Sequence, residues 1–238
     1  MAGRRNQRLM VLAGATLAAL VAIGALIAVS QSGGDDESGL AAGESLTGVR
    51  EVSRLYSGIP QDGATLGNPD APATMVEFVD LQCPFCAEYT RDTLPAIVDR
   101  YVRAGRLKLE LRPVAILGPD SAAAAGAAAA AAERDRIWQY ADLFYLNQGR
   151  ENSGYVDEAF LRRIARGADV PAAPVIAASR VPASSPLLRQ AASEAERFGI
   201  QSTPSFLLGA RGERLQPLEV SSFEVSQFTD AIDRVLGR

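Results

Sequence analysis

Thr74-Met75-Val76-Glu77-Phe78-Val79-Asp80-Leu81-Gln82-Cys83-Pro84-Phe85-Cys86 is the stretch on which the reading of this chain turns. Thr74 to Val79 is β-branched or apolar at every position except Glu77, the composition of a strand packed inside a sheet. The strand runs through a short polar turn into Cys83, and a helix is predicted from Pro84. Proline suits the first helical position, where its missing N–H would be unpaired anyway. Ile97, Val98, Tyr101 and Val102 recur at helical spacing further on, and Pro95 between them is expected to kink or break the helix.

That order places Cys83 at a helix N-terminus. Unpaired amides and the helix dipole there favour a negative charge, and the thiolate is the species that attacks or leaves. Lowering a thiol from about 8.5 to about 5 stabilises its thiolate by roughly 4.8 kcal/mol. Such stabilisation favours the reduced form and makes the disulfide the stronger oxidant. Cys86 lies one turn in, within disulfide reach. A structural staple is the alternative, but so short a loop removes little entropy from the unfolded chain.

Glu77 shares a strand face with Met75 and Val79. Two readings stand side by side. One is a buried acid with a raised pKa that moves a proton to or from Cys86. The other is a glutamate at a sheet edge that reaches water. Asp80 is expected to cap or brace the turn before Cys83.

Two absences narrow the chemistry. The chain has no histidine and only two cysteines among 238 residues. The first removes the usual Ser-His-Asp and Cys-His arrangements, and two thiolates alone do not complete a tetrahedral zinc site. No metal and no cofactor is therefore expected. The net charge of −4 argues against nucleic acid as a partner.

Leu9 to Val29 is 21 residues without a charge, long enough to span a bilayer as a helix. Arg4, Arg5 and Arg8 precede it and Asp35, Asp36 and Glu37 follow it. The positive-inside bias puts residues 1–8 in the cytoplasm and the rest outside. A cleaved signal peptide is the rival, with Ala28-Val29-Ser30 as a loose cleavage triplet. Residues 30–55 are read as a flexible extracytoplasmic linker and 56–238 as the folded domain. Outside the cytoplasm disulfides persist, so place and chemistry agree.

Within the domain, Leu107 to Leu111 reads as a second strand. Some ninety residues of mostly helix follow: Ala122 to Ala132, Ile137 to Tyr145, Glu158 to Ala165 and Leu187 to Phe198. Gly199 to Pro204 then leads into a strand at Ser205 to Leu208, with Arg214 to Glu219 able to pair with it. The last helix is predicted near Ser221, where Ser221 and Glu224 match a capping box. Thr203-Pro204 taken alone is a turn signal. A cis peptide there would present backbone groups to a substrate chain, and a trans proline opening a strand is the plain alternative.

Together these residues resemble a known family. Glu77 to Cys86 is similar to the active-site segment of DsbA-like thioredoxin-fold proteins. The stretch with Trp138 and Leu143-Phe144 resembles the helical domain they insert, and Gly199 to Phe206 their cis-proline loop. The resemblance covers residues 67–238. It implies an α/β thioredoxin-like fold with a helical insertion at about 118–198, preceded here by one transmembrane helix. It also implies that Cys83 is the nucleophile, Cys86 the resolving cysteine, Glu77 the buried acid and Pro204 cis after Thr203. Pro84, Phe85, Thr203 and Pro204 are then the substrate-facing residues. The expected activity is disulfide introduction into cysteine-containing exported proteins, with a quinone-linked membrane thiol oxidase as regenerator. Phe85 departs from the pattern, because strongly oxidising relatives carry histidine inside the motif. A reductase or isomerase, or an anchored peptide-binding module without catalysis, is the alternative.

Overall fold

The computed structural model describes residues 46–237. The membrane span read at residues 9–29 and most of the linker lie outside the described residues. Among those described, no helix is long and apolar enough to cross a membrane.

Six strands form one sheet in the order β1-β2-β4-β3-β5-β6. β3 (Ala73–Val79) lies near the centre, parallel to β4 (Leu107–Pro113) and antiparallel to β5 (Ser205–Ala210). β6 (Gln216–Leu218) extends the sheet beyond β5. At the other edge, β1 (Gln61–Asp62) and β2 (Thr65–Leu66) form a two-residue hairpin on β4. Every residue of β3 is buried, which explains why its sequence, Thr74 and Glu77 apart, is an apolar run instead of an alternating one.

The two faces of the sheet bury different partners. Met75 and Val79 join the main core beneath α2 (Pro84–Asp92) and α9 (Val225–Leu236), whose Tyr89 and Phe228 pack around Phe206. Val76, Phe78 and Leu207 face the other way, against Ala195 and Phe198 of α8 (Pro186–Phe198) and Ile200 just beyond it. After α2 the chain breaks at Thr93, two residues before Pro95, and resumes as α3 (Leu94–Ile97) and a π-helical turn at Val98–Val102. The Thr93 hydroxyl donates to the Phe223 carbonyl, fixing the break to the segment before α9.

Between β4 and β5 the chain builds the expected helical insertion: α4 (Pro119–Ala132), α5 (Ile137–Leu146), α6 (Glu158–Gly167), α7 (Ala172–Arg180) and α8. The alanine run of α4 is buried from Ala124 to Ala132. A helix apolar on every side belongs in a core, and small side chains let α7 approach its backbone closely. A Cβ built on Gly126 would lie 2.5 Å from the Ala178 carbonyl oxygen of α7.

The structure corrects the sequence reading in three places. Residues 49–55, read as linker, form α1 (Val49–Tyr56), with Val52 and Tyr56 buried. Eight residues with two buried positions are too short to show a period. α7 had no predicted counterpart, because Pro171 and Pro174 begin it and alanines fill it. Ser221 and Glu224 do not form a capping box. α9 starts at Val225, its N-cap makes no side-chain hydrogen bond, and Gln227 instead reaches back to the Ser221 amide and hydroxyl at 2.9 Å each.

Gly126→Ala sets two effects against each other. Helix propensity favours alanine by about 1 kcal/mol, while the clash with Ala178 forces α4 and α7 apart. The backbone carbonyl cannot yield as a side chain would, so a net loss of about 1–3 kcal/mol is expected. Urea unfolding checks it, and a raised midpoint would show that α7 gives way freely.

Candidate active site

Cys83 is the N-cap of α2, in extended conformation (φ −69°, ψ 121°), with Pro84 in the first helical position. The turn before it is fixed by Asp80. This fully buried carboxylate accepts from the Gln82 amide (2.9 Å) and the Ser121 hydroxyl (2.7 Å) through one oxygen. Through the other it accepts from the amides of Ile116 (2.8 Å) and Leu117 (3.0 Å). The Cys83 amide donates to the Asp80 carbonyl at 3.0 Å, and the Tyr145 hydroxyl donates to the same carbonyl at 3.2 Å. Gln148 donates to the Leu81 carbonyl, and the Gln82 side chain bridges Ser121 and Asn152. The insertion thus grips the loop that delivers the first cysteine. Asp80 braces the turn as expected, while Gln82, Ser121, Tyr145, Gln148 and Asn152 had no local signal in the sequence.

The Thr203–Pro204 peptide is cis. It sets the Thr203 carbonyl oxygen 3.2 Å from Cys83 Sγ, where the thiol donates to it. Residues 120 apart in sequence therefore meet at one sulfur. Both cysteines are free thiols and both are buried.

Their environments push the two apart. Cys83 is lowered to about 6, chiefly by a hydrogen bond with the Cys86 thiol. Burial opposes this, and the Thr203 side chain and the amides of Cys86 and Phe85 add to the lowering. Cys86 is raised, first by burial and then by the ionised Cys83 beside it. Nucleophile and buried partner are thus distinguished by electrostatics as well as by position. Pro84 and Phe85 lie on the surface beside them, and the Phe85 ring is 59% exposed, the largest exposure among the big apolar side chains described.

Glu77 sits mid-strand in β3 and is 1% exposed, so the edge-of-sheet alternative does not hold. The Tyr89 hydroxyl, one turn past Cys86 on α2, donates to Glu77 Oε1 at 2.7 Å. Burial pushes the Glu77 carboxyl up to about 8; the Tyr89 hydrogen bond opposes this and the Asp142 charge adds to it. Sequence reasoning found the acid but not its partner, although Tyr89 follows Cys86 at helical spacing.

With this geometry in place, comparison with known proteins is informative. A family model described as thioredoxin matches residues 60–225. The chain belongs to the thioredoxin family. The solved structures below share its fold. A probable disulfide bond formation protein D of Bacillus cereus is 30% identical over 104 residues, covering 43% of this chain and 48% of that protein. The chain thus spans about half the length of the curated relatives it matches. The oxidised BdbD structure from Bacillus subtilis superposes with a TM-score of 0.65 at 20% identity, covering 76% of this chain and 98% of that one. A thioredoxin-like oxidoreductase from Silicibacter pomeroyi gives 0.58 at 27% identity, covering 78% and 98%.

Two measurements test these environments. Alkylation of the reduced chain with iodoacetamide is expected to modify Cys83 with a midpoint near pH 6 and to leave Cys86 unmodified until well into the alkaline range. Equal reactivity of both thiols would contradict the assignment. For Glu77, the folded pKa of about 8 lies above the ordinary 4.5 of a free glutamate, so the fold holds the protonated acid. Its stability is full below about 4.5 and falls as pH rises through about 8. Glu77→Gln removes that penalty and is expected to stabilise by on the order of 3 kcal/mol at pH 7, with little gain at pH 5. Denaturant titration at both pH values checks it.

Proposed function

We propose that this chain is an extracytoplasmic thiol–disulfide oxidoreductase that introduces disulfides into exported proteins through Cys83 and Cys86. The observation that carries the reading is the Cys83 sulfur at the start of α2, facing the Thr203 carbonyl of the cis-proline loop, with Cys86 buried behind it. The name of the Bacillus cereus relative is consistent with it.

In the oxidised enzyme a substrate thiolate attacks Cys83 Sγ. The Cys83–Cys86 bond breaks and its electron pair leaves on Cys86. A thiolate at Cys86 is costly because the site is buried, so it takes a proton, and Glu77 is the acid placed to supply it through the face that α2 covers. A second substrate thiolate then attacks the substrate sulfur of the mixed disulfide, and Cys83 departs as a stabilised thiolate. The substrate has lost two electrons and the enzyme has gained them. During the mixed-disulfide step the backbone at Thr203 pairs with the substrate chain, and exposed Phe85 and Pro84 offer it an apolar contact. The returning oxidant is a membrane thiol oxidase linked to quinone. The span at residues 9–29 tethers the domain on the outer side of the cell membrane, with residues 1–8 in the cytoplasm.

Magnitude separates oxidase from reductase. A thiol titrating near 6 stabilises the reduced form at pH 7 by about 1.4 kcal/mol over an unperturbed one, equivalent to about 30 mV. The direction is oxidising and the size modest. The Phe85 side chain brings no donor or positive charge to the thiolate, and only its amide contributes. The test is oxidation of a reduced dithiol peptide, with Cys83→Ser as the inactive control. We expect turnover and a reduction potential above that of a reducing thioredoxin, roughly −270 mV. A potential at or below that value would assign the chain as a reductase instead.

A further inference from the structure

Behind the active-site helix lies a cavity of about 500 Å³ between α1, α2–α3 and α5, lined by Val52, Leu55, Thr90, Pro95, Asp142 and Leu146. Its mouth carries the exposed charges Glu51, Arg54, Arg91, Asp99 and Arg103. Its inner wall is apolar apart from Thr90 and one carboxylate. Asp142, on α5, is 5% exposed and accepts from the Tyr56 hydroxyl of α1 at 2.7 Å. Thr90 follows Cys86 by one helical turn and adjoins Tyr89, the residue hydrogen-bonded to Glu77. The cavity is thus walled by the same helix, α2, that carries Cys86 and the Tyr89 partner of Glu77.

We propose that Asp142 is the outer carboxylate of a two-acid proton route, passing protons between Glu77 and solvent in this cavity. The inference rests on Glu77 serving Cys86 as acid and base. When Cys86 gives up its proton, Glu77 takes it, Glu77 hands a proton to the Asp142 carboxylate, and Asp142 releases it into the cavity. The reverse sequence reprotonates Cys86 after substrate attack opens the disulfide. Only protons move on this path.

Three observations support the route. Glu77 is sealed from solvent inside β3, so a proton needs an exit other than the strand itself. Asp142 is the one acid that both lines the cavity and is buried, since Glu51 and Asp99 stand at the rim. The two carboxyls are also matched: burial raises Asp142 to about 7, against the Tyr56 hydrogen bond, and Glu77 to about 8. Transfer between groups so close in acidity is nearly free of cost. Around Asp142 the titratable and charged groups are Tyr56 from α1, Glu77 from β3, Tyr89 and Arg91 from α2, and the rim charges. Among these, Arg103 is held by Asp99 and by the carbonyls of Leu55 and Ser57. Asp142 is a positioning residue in this scheme, acting on the sulfur through Glu77.

The experiment compares the full chain with Asp142→Asn, Tyr56→Phe and Glu77→Gln, following the pH dependence of dithiol peptide oxidation and the infrared carboxyl band of Glu77. Asp142→Asn removes the charge that adds to burial in raising Glu77. The Glu77 band is expected to titrate at lower pH and the rate profile to move with it. The plateau rate falls roughly tenfold, less than the 10²–10⁴ of a whole acid–base catalyst. The Cys83 thiolate titration stays near pH 6, which shows that the site is still folded. Tyr56→Phe keeps the acid and loses less rate than Asp142→Asn. Equal losses in those two variants would mean that Asp142 only anchors α1, and the proposal fails. It also fails if Asp142→Asn reproduces the original profile while Glu77→Gln flattens it, an outcome that leaves the Glu77 role intact. An unchanged profile in Glu77→Gln overturns both.

Discussion

The buried carboxylate of Asp80 is the constraint on which the site depends. A carboxyl group with no solvent contact is costly unless its oxygens are supplied with hydrogen-bond donors. Asp80 meets that condition with four hydrogen bonds, from the Gln82, Ile116 and Leu117 amides and the Ser121 hydroxyl. Each donor belongs to a different requirement of the fold. Gln82 is the residue before the nucleophile, Ile116 and Leu117 form the exit from β4, and Ser121 opens the insertion. One side chain thereby ties the end of the central strand to the helical domain and leaves the following residue no freedom in where α2 begins. The amides of Phe85 and Cys86 act on the Cys83 sulfur because that start is fixed.

The insertion accordingly does more than enlarge the molecule. A strand–Cys-x-x-Cys–helix unit alone would leave the loop at residues 80–83 exposed to water, and its backbone free to move. Tyr145 and Gln148 cover it and donate to the Asp80 and Leu81 carbonyls. The same helix, α5, carries Asp142 on to the cavity behind α2. Residues less than one turn apart on this helix, Asp142 and Tyr145, thus serve the cavity and the loop before Cys83. Close packing of α4 is what keeps α5 in register with α2.

How much of this was legible from the sequence follows from the range of each interaction. β3, α2 and the position of Cys83 are written in local order: an apolar run, a turn, then proline at the first helical position. The burial of Glu77 was only half legible, because an acid in an apolar strand fits both a central and an edge position. Sheet order decides between them, and it is set by β4 and β5 on either side. Gln82, Ser121 and Asn152 had no signal at all, since they meet across 39 and 70 residues with no repeating pattern. Asp142 was hidden for the opposite reason: among Trp138, Leu143 and Phe144 it reads as the polar position of an ordinary amphipathic helix. The cis peptide at Pro204 was implied by resemblance, not by any property of Thr-Pro itself, and the contact of Thr203 with Cys83 across 120 residues had no signal.

The two cysteines show how one helix produces opposite acidities from one residue type. Cys83 stands where α2 leaves amides unpaired, and its sulfur gains donors when it ionises. Cys86 stands one turn further, fully covered, where a charge on its sulfur finds no solvent, while its amide serves the Cys83 sulfur. The Thr203 carbonyl works against the contrast, because an acceptor at 3.2 Å favours the neutral thiol of Cys83. Ionisation must overcome that contact, and the hydrogen bond with Cys86 is the largest influence that does so. The nucleophile's acidity therefore depends on the second cysteine remaining protonated. That dependence gives the buried acids behind α2 their importance: whatever holds the proton on Cys86 also sets the reactivity of Cys83.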